Sequence, residues 1–96
     1  MLTTNKERVR SSCQLRDDVA KLSSGRYYET KGAFINALTE VLDAHGLQLE
    51  TWANCQGDEG RATWLLSHDG VEIDTCAFCT WFRMPSGRYE FIIYLT

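Results

Sequence analysis

Cys76-Ala77-Phe78-Cys79 is the stretch of this chain whose residue types and spacing most readily do chemistry. Two thiolates at that spacing can grip a zinc ion or cycle between dithiol and disulfide. Either role needs both sulfurs on one side of the backbone. The residues from Val71 to Met84 read as a strand, and a strand sends positions 76 and 79 to opposite faces. A bulge, or a short helix starting at Asp74-Thr75, would be needed to bring the sulfurs together. A zinc centre would also want further ligands, and Cys55 with Cys13 or His68 is the set at hand. The main expectation is therefore small buried or half-buried thiols, with no metal and no cofactor. A thiol- or zinc-dependent protein using Cys76 and Cys79 is the alternative.

The two histidines form the second constellation. His45 falls on the apolar face of a helix near its C-terminus, where the helix dipole favours a cation. His68 ends a strand opposite Leu47, so the two rings are expected as neighbours, with Asp43 and Asp69 close by. An acid/base or metal cluster there would lack a Ser or Cys nucleophile, and no enzyme is expected. The Gly57-Asp58-Glu59-Gly60 loop has two acids but not the long ligand spacing of a calcium loop, and it joins antiparallel strands rather than cradling a phosphate. It reads as a turn.

The totals exclude several classes. The 96 residues make one domain, 1–96, and a net charge of −3 without a run of Lys or Arg among aromatics argues against nucleic acid. No apolar run approaches a membrane span, and Met1 to Arg10 has no apolar signal region, so a cytoplasmic protein is expected. In that compartment the four cysteines would be thiols or ligands rather than a disulfide framework.

These residues must be positioned by an α+β fold: two N-terminal helices, then a four-stranded antiparallel meander in the order 1-2-3-4, with the second helix packed on one face. The first helix runs from about Thr4 to Leu22, with a narrow stripe of Leu15, Val19 and Leu22. The second is capped by Thr30 and stopped at Gly46, and it gathers Phe34, Ala37, Leu38, Val41, Leu42 and His45 on one side. Strands follow at Leu47 to Asn54, Arg61 to His68, Val71 to Met84 and Arg88 to Leu95, with connections too short for crossovers. Tyr27-Tyr28 lies in the crossing between the helices; with Trp52 it could belong to a binding surface, but aromatics at element edges are more often packing.

Three turns set the register. Asp69-Gly70 is a two-residue hairpin signal, which places His68 opposite Val71, Leu66 opposite Ile73, Trp64 opposite Thr75 and Ala62 opposite Ala77. Pairing Met84 with Arg88, and Asn54 with Arg61, puts Ala62, Trp64, Leu66, Ala77, Cys79, Trp81, Phe91, Ile93 and Leu95 on one core face. The opposite face is expected to be polar. Instead Phe78, Phe82, Met84, Ile92 and Tyr94 fall together on it, with Leu65 and Trp52 nearer the other end. Large apolar patches usually mark an interface or are covered by the protein itself. These seven residues are the binding candidates of a non-enzymatic protein-interaction domain. It would be a small inhibitor or accessory protein that forms a homodimer or takes another protein partner, using this face or the last strand. A first helix folded over the same face would remove the site.

Overall fold

A computed structural model of the chain describes residues 14–23, 25–49 and 56–96. Cys13, Trp52, Cys55, the first-helix positions 4–13 and the strand positions 50–54 lie outside the described residues. The elements in chain order are helix α1 (residues 14–20), β1 (Tyr27–Tyr28), α2 (Lys31–Ala44), β2 (Gln48–Leu49), β3 (Glu59–His68), β4 (Val71–Arg83) and β5 (Tyr89–Leu95). Together they make an α+β fold in which the antiparallel sheet bends into a half-barrel. No helix among the described residues is long and apolar enough to cross a membrane.

Among the described residues the sheet has five strands, ordered β1-β5-β4-β3-β2, which corrects the four-stranded expectation. The added strand is Tyr27–Tyr28, which pairs with Tyr89 and Glu90 at the start of β5. Two residues are too short to show a period, so only tertiary pairing defines this strand. Tyr28 turns inward and meets Phe34 edge-on at 5.3 Å and Phe91 at 5.8 Å, and those two rings stack on each other at 3.9 Å. Its hydroxyl donates to the Leu22 carbonyl at 2.8 Å. That aromatic triad ties β1, α2 and β5 into one core.

α2 begins where Thr30 accepts from the Ala33 N–H and ends in a Schellman arrangement. Gly46, at φ +73°, donates to the Asp43 carbonyl, and Leu47 donates to that of Leu42. The helix buries Phe34, Leu38 and Leu42 against Trp64, Leu66, Ala77, Cys79, Trp81, Phe91, Ile93 and Leu95. Leu15, Val19 and Leu22 of the first helical segment bury in that same core. Both helices therefore cover one face, and the described part of α1 does not fold over the outer one.

Two hairpins keep the register read from the sequence: Gln48 opposes Ser67, and β5 pairs from Ala77–Leu95 to Arg83–Tyr89 with Met84 bonded back to Arg88. The third departs from it. Asp69 and Gly70 have φ of +53° and +80°, as a type I′ turn requires, and His68 opposes Val71. Beyond the turn, one residue of β3, Leu66, lies against three of β4: Ile73, Asp74 and Thr75. Trp64 consequently opposes Ala77 rather than Thr75, and Ala62 opposes Cys79 rather than Ala77. The offset is even, so every side chain keeps its face while its neighbours change.

Candidate interaction face

Outward-pointing residues of β3, β4 and β5 form rows across the sheet. Leu65 opposes Cys76; Thr63, Phe78 and Tyr94 form the next row; Arg61, Thr80 and Ile92 follow, then Glu59, Phe82 and Glu90. The bulge at Leu66 moves Leu65 two positions along β4, next to Cys76 and diagonal to Phe78. The rings of Phe78 and Tyr94 sit 5.5 Å apart, tilted by 30°. Tyr94 and Ile92 remain 60% and 47% exposed, while Leu65, Phe78, Phe82 and Met84 are half-buried. The candidates share one face with polar interruptions, because Thr80 stands between Phe78 and Phe82, and Glu90 stands opposite Phe82.

Tyr27, read from the sequence as packing rather than as part of a binding surface, belongs here. Its pairing with Glu90 sets it on the outer side, 47% exposed, while its neighbour Tyr28 is buried in the core. The most exposed apolar side chains of the face, Tyr94, Ile92 and Tyr27, thus run as a stripe along β5 and onto β1. The only hint in the sequence is the Tyr-Tyr pair itself, one ring for each side of a strand.

The loop before β3 is anchored at one end of the sheet. The Gly57 carbonyl accepts from Lys31 Nζ at 2.8 Å and from Trp81 Nε1 at 3.4 Å. The Asp58 carbonyl accepts the Arg83 N–H at 2.8 Å, and its carboxylate accepts from the Tyr89 hydroxyl at 3.3 Å. The loop read as a plain turn therefore ties α2, β4 and β5 together. Beside it an open hollow of about 510 Å³ is lined by Asp58, Glu59, Phe82, Arg83, Met84, Pro85 and Gly87.

Among the described residues, Cys76 and Cys79 do not converge. Cys79 is 2% exposed in the core, and Cys76 is half-buried on the outer face opposite Leu65, so the two sulfurs point to opposite sides. Among the described residues no group of three or more His, Cys, Asp and Glu side chains could hold a metal. The two histidines take different partners at the same end of the sheet, and His68 also meets Asp69 at 3.4 Å. His45 Nε2 bonds Asp18 Oδ2 at 2.8 Å, which fastens α1 to the end of α2, and His68 Nδ1 donates to the Gly46 carbonyl at 2.8 Å. The bond to His45 holds the Asp18 carboxyl below its ordinary value of 3.8, helped by Gln14 and Lys21 against partial desolvation. Burial pushes the Tyr28 hydroxyl above its ordinary value.

The chain matches no protein-family model, and neither curated proteins nor solved structures give a match, so its function has to be argued from these residues.

Proposed function

We propose that this protein is a non-enzymatic interaction domain that binds a second copy of itself through the outer sheet face. The observation that carries the reading is the stripe of Tyr94, Ile92 and Tyr27, backed by Phe78 and Phe82, on the side of the sheet opposite both helices. Aromatic side chains on a rigid sheet lose little conformational freedom on binding and are common interface anchors. A two-fold axis lets one such patch cover its own copy, the commonest closed arrangement.

The face is the route favoured over the edge of the last strand. That edge is occupied by β1 at Tyr89 and Glu90, by the Ser23 hydroxyl on the Ile93 N–H at 2.9 Å, and by Arg16 on the Thr96 carbonyl at 2.9 Å. A strand cannot be added there without displacing them. The non-enzymatic part of the reading is supported by the use of the described titratable groups: each histidine holds a structural bond, and Cys76 and Cys79 face apart.

Aromatic and methyl NMR spectra recorded over a range of protein concentrations test this. Signals of Phe78, Ile92, Tyr94 and Tyr27 should move with concentration while those of Phe34 and Phe91 stay fixed. Outer-face signals that stay unchanged up to high concentration would remove the reading.

A further inference from the structure

β4 is longer than the strand beside it. Its pairing with β5 covers Ala77 to Arg83, and Thr96 reaches one step further, its N–H donating to the Cys76 carbonyl at 3.0 Å and its side-chain hydroxyl accepting the Cys76 N–H at 2.9 Å. From Val71 to Thr75, β4 has only β3 as a neighbour among the described residues. A strand edge of this kind presents backbone donors and acceptors that an extended chain can satisfy. The same side of the sheet further along is blocked by β1, Ser23 and Arg16, so the opening is confined to these five positions, Val71, Glu72, Ile73, Asp74 and Thr75.

The side chains of this edge select by charge. Glu72 and Asp74 are exposed, and neither forms an ion pair among the described residues; Asp69, in the adjoining turn, meets only His68, at 3.4 Å. Val71 is 67% exposed and Ile73 is half-buried, so apolar and acidic positions alternate. The identical edge of a second copy is disfavoured. Antiparallel pairing centred on Ile73 would set Glu72 against Asp74 of the partner subunit twice, and like charges directly opposite repel.

We propose that the Val71–Thr75 edge of β4 accepts an extended segment of another protein that carries Lys or Arg at alternate positions. The segment would run antiparallel to β4, in line with β5 beyond Thr96, with its cations beside Glu72 and Asp74 and its apolar residues beside Val71 and Ile73. The bulge against Leu66 strengthens the local twist and limits the pairing to a short stretch. This surface is separate from the aromatic face, so either can fail without the other.

The probe is a capped synthetic peptide of alternating Arg and Val, titrated into the full-length ¹⁵N-labelled protein. Saturable shifts centred on the Val71–Thr75 amides are expected. Affinity should fall on the order of tenfold in the Glu72→Gln/Asp74→Asn double variant, the size of two exposed charge pairs lost. A control peptide with Glu in place of Arg should bind weaker still. Both substitutions are at exposed positions, so the variant's remaining spectrum should be unchanged. Four results would overturn the proposal: no saturable shift at these amides, shifts centred on Ile92 and Tyr94 instead, equal affinity in the double variant, or concentration-dependent shifts at Val71–Thr75 without peptide, which would make the occupant a second copy.

Discussion

The benzo ring of Trp81 occupies the space in which a side chain at Gly60 would stand. The two residues are directly opposite on β4 and β3, and a Cβ on Gly60 would lie 2.7 Å from Trp81 Cζ2 and 3.1 Å from Cη2. A flexible neighbour would yield, but this indole is buried and its Nε1 donates to the Gly57 carbonyl. Gly60→Ala should therefore cost about 1–3 kcal/mol, the usual range for overpacking. Trp81→Phe should be less damaging in the Gly60→Ala background than in the wild type, and denaturant melts of the double-mutant cycle measure that coupling. Additive losses would contradict the contact.

The contrast between Phe82 and Ile93 tests the assignment of faces. Ile93 is buried under the helices, where an unpaired carboxylate threatens a fold whose whole stability is ~5–15 kcal/mol. Phe82 is half-buried on the outer side. Ile93→Glu should abolish the cooperative thermal transition followed by circular dichroism, whereas Phe82→Glu should keep it. Equal unfolding of both would mean that the outer face is covered.

Much of this is legible in the sequence because turns, caps and alternation are local. Thr30, Gly46 and the Asp69-Gly70 turn each do what their chemistry requires, and two of three hairpin registers follow from turn length alone. Two features escaped for physical reasons. Tyr27–Tyr28 is too short to carry a period and becomes a strand because Tyr28 packs edge-on against the stacked rings of Phe34 and Phe91. The bulge at Leu66 carries no local signature, and its even offset preserved the faces while moving Leu65 toward Phe78. The aromatic face is legible for the same reason, and the separate partners of the two histidines are not. Helix α1 lies at one end of the core and gives His45 the carboxylate of Asp18, a long-range contact that spacing does not encode.

The two central cysteines should differ in reactivity. In a protein whose Cys13 and Cys55 are replaced by Ser, a thiol reagent should label half-buried Cys76 on the order of tenfold faster than Cys79, which must wait for the core to open. Equal rates would contradict the register that sends them to opposite faces.

The Asp18–His45 bond gives a pH dependence with a definite sign. The Asp18 carboxyl is held below 3.8 in the folded protein, so its contribution is complete above that value and is lost as the pH falls through the folded one. Wild type should be more stable than Asp18→Asn near neutral pH, and the gap should close in acid. A gap that does not change across a pH series of denaturant melts would contradict this.

The central claim is that the outer face binds its own copy, and the molar mass in solution tests it most directly. Sedimentation equilibrium at tens of micromolar should give a dimer for the wild type and a monomer for Tyr94→Glu, with the same circular dichroism spectrum for both. A wild-type monomer at every concentration, or a Tyr94→Glu variant that stays dimeric, would contradict it.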